Sequence, residues 1–152
     1  MPEFHSVIQD ARRDLLAALA LHATACPRQA AVAVEFAAFV AAEPRCALRE
    51  LETGHLTASA WLVSTDGARV LLTHHAKLGR WLQLGGHADG VLDLAAVALR
   101  EAEEESGLPA LVVEPGIFDL DRHWIPERAR EPGHWHWDVR YVVRCGPVEE
   151  WV

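Results

Sequence analysis

Hydrophobic and polar positions divide the chain into a helical N-terminal part and a longer part that is rich in strands. Residues of about 4–25 and 28–42 are rich in alanine and leucine at helical spacing, and Pro27 and Pro44 interrupt the pattern. The pattern predicts two antiparallel helices whose role is packing. From His55 onward, apolar and polar side chains alternate, which is typical of β-strands.

The alternating part contains several predicted strands that are separated by turn signals. The runs HLTASAWLV and ARVLLT flank the turn STDG and predict a hairpin, and WLQL predicts a short strand that leads into the glycine loop GGHADG. After Pro109, the runs ALVVEP and IFDLDRHW predict two further strands. The last strong element, HWHWDVRYVV, covers residues 134–143.

This last strand is predicted to have two faces of opposite character. Alternation gives one face four polar residues, His134, His136, Asp138 and Arg140, and gives the other Trp135, Trp137, Val139 and Tyr141. The apolar face is suited to the core. The polar face either contacts water or lines a cleft, and the sequence leaves these alternatives open.

The stretch REAEEESGL predicts a helix that ends in a cluster of acids. The preceding residues, DLAAVAL, are helix formers after the N-cap residue Asp93, and Gly107 followed by Pro109 predicts the helix end. The acids therefore lie at the negative end of the helix dipole, where like charges one turn apart repel by roughly 0.2–0.5 kcal/mol per pair. Most charge runs are simply solvated, and a bound cation is the functional alternative. The four acids are Glu101, Glu103, Glu104 and Glu105.

Composition and charge limit the classes of function. The chain has 152 residues, of which 51% are hydrophobic and 24% charged, and this fits one globular domain. A net charge of −8 argues against a nucleic-acid polymer as partner, but it is compatible with a small phosphorylated ligand if divalent metal ions lie between the negative charges. The three cysteines lack C-x-x-C spacing, which favours free thiols and a cytoplasmic location. No apolar run is long enough to span a membrane.

The segment GGHADGVLDLAAVALREAEEESGL resembles the signature of the Nudix hydrolases, G-x5-E-x7-R-E-U-x-E-E-x-G-U, in which U is apolar. One position departs from it, because Leu92 stands where the signature has a glutamate, with Asp89 and Asp93 nearby. The runs GHLTAS and HWHWD are also similar to a bacterial subgroup of the family. The matching residues are Gly86, Arg100, Glu101, Ala102, Glu104, Glu105, Gly107 and Leu108.

The resemblance implies an α/β/α sandwich with a mixed sheet, and the N-terminal residues, which lie outside the resemblance, add the helical pair predicted above. Residues 51–152 would form the hydrolase domain, and residues 1–50 would form a helical extension packed on it. It also implies a site for Mg²⁺ or Mn²⁺, ions that prefer hard oxygen ligands. Helical spacing agrees, because Glu101 and Glu105 lie one turn apart with Glu104 beside them. The implied ligands are Glu101, Glu104, Glu105 and the carbonyl of Gly85, and Arg100 would orient Glu104.

Other polar residues are candidates for catalysis or substrate binding. Glu104 or Glu101 would be the general base, and the alternatives on later segments are Glu127, Glu131 and Asp138. His136 and Arg140 are predicted to bind substrate phosphate, and His87 is predicted either to do the same or to make a structural hydrogen bond. The sequence favours plain loop positions for His74 and His75. It favours core packing for most of Trp81, Trp124, Trp135 and Trp137, one of which could stack on a base.

These observations lead to one predicted function and two alternatives. The predicted function is a cytoplasmic, metal-dependent pyrophosphohydrolase that cleaves a nucleoside diphosphate linked to another group. Its partner would be this small nucleotide, without a nucleic-acid polymer or membrane, and a homodimer is left open. One alternative, motivated by Leu92, is a catalytically weak binding or regulatory module. The other is an isomerase on the same scaffold, although no cysteine lies in or next to the signature.

Overall fold

The N-terminal part of the chain is the predicted pair of helices. The computed structural model describes residues 2–76, 79–128 and 132–147. Helix α1 (Pro2–Ala25) leads through a short 3-10 turn (Pro27–Gln29) into helix α2 (Ala30–Ala42). Arg12 of α1 donates hydrogen bonds to the carbonyl oxygens of Glu43 (3.1 Å) and Pro44 (2.7 Å), just beyond the end of α2. Helix ends leave carbonyl groups without partners, so these bonds join the two helices.

A mixed sheet forms the rest of the fold. Its two central strands, β1 and β8, are parallel, while β2 and β5 pair antiparallel with β1, and β6 and β7 pair antiparallel with β8. Strands β3 and β4 form a separate two-stranded sheet. The α/β class and the mixed sheet are therefore as predicted. The elements are β1 (Gly54–Val63), β2 (Val70–Leu71), β3 (Thr73–His75), β4 (Arg80–Leu82), β5 (Leu84–His87), α3 (Leu94–Ser106), β6 (Val112–Val113), β7 (Asp119–Ile125) and β8 (His134–Arg144).

The run WLQL, predicted as one strand, is divided at Gln83. Trp81 and Leu82 belong to β4, whereas Leu84 begins β5. The glycine pair Gly85–Gly86 consequently lies in a strand and not in a loop. A side chain at Gly85 would come within 2.6 Å of Ser59 Oγ, so the close approach of β5 to β1 requires glycine there.

The sheet has one apolar face, which the helices cover, and one polar face. Trp137 of β8 stacks on Phe39 of α2, with ring centroids 4.4 Å apart, and meets Phe36 edge-on. Helix α3 buries Leu94, Val97, Ala98 and Ala102 in the same core. His55, Thr57 and Ser59 alternate with buried apolar residues along β1 and so lie on the opposite face. That polar face positions the site described below.

The described residues also include the cysteines and the helices that bear on composition. Cys26 and Cys46 are free cysteines, and Cys46 is buried. None of the helices in the described ranges combines the length and the apolar character needed to cross a membrane.

Candidate active site

The acidic end of α3 lies against the glycine strand β5. The helix begins at the predicted N-cap, where the Asp93 carboxylate accepts a hydrogen bond from the backbone N–H of Ala96. It ends at Gly107, whose φ of 67° is the left-handed conformation that glycine favours. Near this end, the Gly85 backbone N–H donates to Glu105 Oε2 at 3.3 Å. The structure therefore brings the predicted residues Gly85 and Glu105 together.

Glu101 packs directly over the second glycine. A side chain added at Gly86 would have its Cβ 2.5 Å from Glu101 Oε2, so only glycine leaves room for this carboxylate. The Glu101 side chain is 16% exposed, and Arg100 Nη2 donates to its Oε1 at 2.8 Å. The sequence predicted that Arg100 orients Glu104, but the Arg100 Nε to Glu104 Oε1 distance is longer, at 4.0 Å. In this structure Arg100 mainly holds Glu101.

Electrostatics at the helix end agree with a crowded set of carboxylates. Loss of hydration against β5 raises the pKa of Glu105, and the negative charges of Glu101 and Glu104 raise it further. The Gly85 hydrogen bond acts in the opposite direction. Glu103 is exposed on the same helix, which suits a solvated residue. The repulsion expected from the sequence thus adds to the effect of burial at Glu105.

The chemistry of these donors fits Mg²⁺ or Mn²⁺, which bind oxygen ligands. Glu101 and Glu105 lie beside Gly86 and Gly85, so carboxylate and backbone oxygens are available along one edge of β5. Among the described residues, however, the group of three potential ligands whose atoms all lie within 4.8 Å of one another is made of histidines. The glutamates are near neighbours without forming such a set.

Leu92, at which the sequence departs from the signature, and the two aspartates near it have structural roles. Leu92 is 7% exposed and belongs to the hydrophobic core, where a glutamate would lose its hydration. Asp89 pairs with Arg49 through two contacts of 2.7 Å, and Asp93 caps α3. Neither aspartate therefore substitutes for the glutamate that the signature has at this position.

A cleft of about 580 Å³ lies over the polar face of the sheet. Its lining includes His136, Asp138 and Arg140 of β8, so the polar face of that strand lines a cleft, which decides between the two alternatives left by its sequence. The predicted residues Gly85, Gly86 and His87 also line it. The glycine strand therefore connects the cleft with the acidic end of α3. The remaining lining residues are Thr57, Ser59, Arg80, Leu82, Gln83, Asp121, His123 and Trp124.

Arg140 is held by three carboxylates. Its Nε donates to Asp138 at 2.9 Å, its Nη1 to Asp119 at 2.9 Å, and its Nη2 to Asp121 at 2.7 Å. Asp138 is 2% exposed and also accepts hydrogen bonds from Thr57 (2.9 Å) and Ser59 (2.8 Å). Each guanidinium nitrogen thus has an acidic partner. This geometry favours a role for Arg140 in shaping the cleft floor over the predicted phosphate contact.

Five histidines meet at one end of the cleft. His136 lies about 5 Å from each of three others, with centroid distances of 5.1 Å to His55, 5.2 Å to His87 and 5.0 Å to His134. His123 follows at 5.5 Å. Burial lowers the pKa of His136 to about 3, and it also lowers the pKa of His55. Both rings are therefore neutral at pH 7, and each keeps one unprotonated nitrogen.

The remaining candidates are dispersed. His74 and His75 are exposed on β3, Trp81 is 66% exposed on β4, and Glu127 is exposed. Trp124 lines the cleft and lies edge-on to Trp135 at 5.3 Å. Glu131 lies outside the described residues.

Sequence reasoning missed the cleft residues Thr57, Ser59, Asp121 and His123. It also missed His55 and Asp119, which contact the cleft residues His136 and Arg140. A signal was present, because these residues alternate along HLTAS and DLDRH just as the polar residues alternate along the last strand.

Comparison with known proteins identifies the class. A family sequence model described as the NUDIX domain matches residues 53–150, which is more than half of the chain. The chain therefore belongs to the Nudix family and is a hydrolase that acts on phosphoanhydride bonds.

Two solved structures were found to be similar to this chain. One is an Ap4A hydrolase from C. elegans, with 16% sequence identity, a TM-score of 0.41, and coverage of 64% of this chain and 74% of that one. The other is a NUDIX-family hydrolase from Clostridium perfringens, with 28% identity, a TM-score of 0.42, and coverage of 64% and 71%. No curated protein sequence matches the chain.

Proposed function

We propose that the chain is a divalent-metal-dependent pyrophosphohydrolase that cleaves a small nucleoside diphosphate linked to another nucleotide, a sugar or a further phosphate. The observation that carries this proposal is the position of Gly85. Its N–H contacts Glu105 at the acidic end of α3, while the same residue lines the cleft. A diphosphate that reaches the β5 edge of the cleft would therefore lie near the Glu105 carboxylate.

Four groups would hold Mg²⁺ or Mn²⁺, namely Glu101, Glu104, Glu105 and the carbonyl of Gly85. When bound, the ion would supply positive charge against the phosphoryl oxygens and a water molecule of lowered pKa. The carboxylates repel one another in its absence, and this repulsion is the reason that the helix end suits a cation.

Different roles follow for the two candidate bases. Arg100 holds Glu101 at 2.8 Å, which fixes that carboxylate over Gly86. The Glu104 side chain is 65% exposed, and its nearest Arg100 nitrogen is 4.0 Å away. Glu104 is therefore free to accept a proton from an attacking water, and Glu101 serves as a positioned ligand.

The substrate side of the cleft would be organised by β8 and β5. Asp138 and Arg140 form a rigid floor, because each is held by several hydrogen bonds. His87 and His136 lie on the lining next to this floor, and their ring nitrogens can form hydrogen bonds with sugar hydroxyl groups. Trp124, which is 50% exposed at the cleft, offers an aromatic surface for a base.

The second candidate function is a nucleotide-binding module with little turnover, and the buried Leu92 is the observation that favours it. A panel of nucleoside triphosphates, dinucleoside polyphosphates and nucleoside diphosphate sugars separates the two. Each compound is incubated with the chain in Mg²⁺, Mn²⁺ or a chelator, and the products are identified by chromatography. We expect hydrolysis of one class only when metal is present. Nucleotide binding without hydrolysis of any compound would instead establish the binding module.

A further inference from the structure

Three histidines from three adjacent strands meet at the end of the cleft. His55 of β1 lies directly opposite His136 of β8, and His87 of β5 lies opposite Thr57, two residues along β1 from His55. Side chains two residues apart on a strand share a face, so the three rings lie on the same side of the sheet. One ligand atom from each lies within 4.8 Å of the other two. No carboxylate belongs to this set.

His55 carries a buried nitrogen that lacks a protein partner. The residue is 2% exposed, and its Nδ1 lies 3.5 Å from the carbonyl oxygen of Leu51. A carbonyl oxygen only accepts, so Nδ1 is the protonated nitrogen and Nε2 carries the lone pair. Among the described residues, Nε2 has no hydrogen-bond partner. A buried polar atom without a partner costs free energy, and a ring held through Nδ1 to a backbone carbonyl is the usual arrangement of a metal ligand.

His136 is oriented by a similar chain of hydrogen bonds. His134 Nδ1 donates to the carbonyl of Pro132 at 2.9 Å, and His134 Nε2 lies 3.2 Å from His136 Nε2. In the His134 tautomer that protonates Nδ1, Nε2 carries the lone pair and accepts, so His136 Nε2 donates. The unprotonated nitrogen of His136 is then Nδ1. His134 therefore fixes the tautomer of His136, as residues that support metal ligands do.

We propose that His55, His87 and His136 form a second metal site, separate from the carboxylates of α3, for a borderline divalent ion such as Zn²⁺. Three imidazoles without a carboxylate suit Zn²⁺ rather than Mg²⁺. Tetrahedral coordination with Zn–N distances of about 2.0–2.1 Å places the nitrogens about 3.3 Å apart, so the rings close in by up to about 1.5 Å. His87 is less buried than His55 and can rotate to do so.

Such an ion would have one coordination position left for water or a ligand. His87 and His136 both line the cleft, so this position would be accessible from the cleft. The site therefore offers an anchor for an anionic or nitrogen-containing part of a cleft ligand. It depends on residues of β1, β5 and β8 alone and does not require the proposed hydrolysis.

The test is metal binding to the purified full chain, measured without substrate. After chelator treatment, Zn²⁺ is titrated by calorimetry in excess Mg²⁺, and Co²⁺ is followed by its visible absorption, which reports coordination geometry. We expect one Zn²⁺ per chain and the intense absorption of tetrahedral Co²⁺. His87→Gln and His55→Gln should weaken binding by at least about 100-fold, and His134→Gln, which acts through His136, by about 10–100-fold.

Two variants serve as controls. His74→Gln removes an exposed histidine outside the cluster and should leave Zn²⁺ affinity unchanged. Glu105→Gln removes a proposed Mg²⁺ ligand and should also leave it unchanged. Circular dichroism checks the fold of each variant. If His55→Gln does not fold, His87→Gln, made at a less buried residue, serves as the test of the site. Zn²⁺ affinity that is equal in the wild type and His87→Gln, or that falls in Glu105→Gln, would overturn the proposal.

Discussion

Glu105 Oε2 lies 3.3 Å from the backbone nitrogen of Gly85, and this contact joins the acidic end of α3 to the strand that lines the cleft. The two residues are 20 positions apart in the chain. Helix α3 follows β5 in the chain, and its last turn contacts that same strand. The glutamates at the C-terminal end of α3 repel one another and the negative end of the helix dipole. A cation bound at this edge of the cleft would offset that repulsion.

Glu105→Gln is therefore expected to lower kcat/KM in Mg²⁺ by about 100-fold, the order of magnitude that follows from removing one charged group of a catalytic site. The substitution removes one charge and preserves volume, so the melting temperature should stay the same or rise. Steady-state kinetics on the substrate found by screening give the measurement. Glu103→Gln makes the same change at an exposed position of the same helix and should retain full activity. Equal activity in both variants would show that α3 does not provide the site.

Arg140→Ala is expected to destabilise the fold more than it weakens substrate binding. The change leaves the buried carboxylate of Asp138 without its cation, and breaking a buried pair in this way costs about 3–5 kcal/mol. Urea unfolding measures the loss. Arg13→Ala breaks an exposed pair with Asp10 and should cost about 0–1 kcal/mol. An unchanged unfolding free energy with a tenfold rise in KM would restore the direct phosphate contact predicted from the sequence.

The fold was largely predictable, because its signals are local. Asp93 and Gly107 bound α3 as expected, and alternation along β8 assigned His136 and Trp137 to the correct faces. The site was predictable only in part. His55 is 32 residues from His87 and 81 from His136, and the parallel register of β1 and β8 that brings them together leaves no local trace in the sequence.

The partners of Arg140 were missed for the same reason. Asp119 and Asp121 lie on β7, and only the antiparallel pairing of β7 with β8 places them beside the guanidinium. From its own strand, Arg140 has one acidic neighbour, Asp138, on the same face. A cation that the sequence presents as available for phosphate is therefore already neutralised in the fold.

Trp137→Phe is expected to destabilise the chain by about 1–2 kcal/mol, since it trims a ring that packs between Phe36 and Phe39. The contact joins the N-terminal helices to the sheet, and the prediction that residues 1–50 pack on the hydrolase domain implies a single unfolding transition. Denaturant unfolding followed by circular dichroism measures both properties. Trp81→Phe, at a residue that is 66% exposed, should change stability by less than about 0.5 kcal/mol. Two separate transitions in the wild type would contradict the packing.

His136 makes stability depend on pH in a definite direction. Its pKa falls from 6.5 to about 3 in the folded chain because the ring is buried, and neighbouring histidines add to the effect. Between these values the unfolded chain binds a proton that the folded chain does not. Unfolding free energy should therefore fall as pH drops from about 6.5 toward 3, by up to about 1.4 kcal/mol per pH unit for this group. Urea titrations of metal-free wild type and His136→Gln should differ in slope in that window and run parallel above pH 7.

Gly86→Ala is expected to displace the Glu101 carboxylate of α3. The added methyl group would lie 2.5 Å from Glu101 Oε2, and Arg100 holds that carboxylate from the other side, so Glu101 must leave its position. Activity in Mg²⁺ should fall by about tenfold or more, the usual consequence of misplacing a catalytic group. Shortening the displaced side chain supplies the control. In the double variant Gly86→Ala with Glu101→Asp, the carboxylate retreats from the new methyl group and keeps its charge.

The double variant should thus be more active than the product of the two single effects, a coupling that a double-mutant cycle measures directly. Residues that touch are the ones expected to show such coupling. Strict additivity of the two substitutions would mean that the Glu101 carboxylate does not lie over Gly86 in solution. It would also remove Glu101 from the proposed set of metal ligands beside β5.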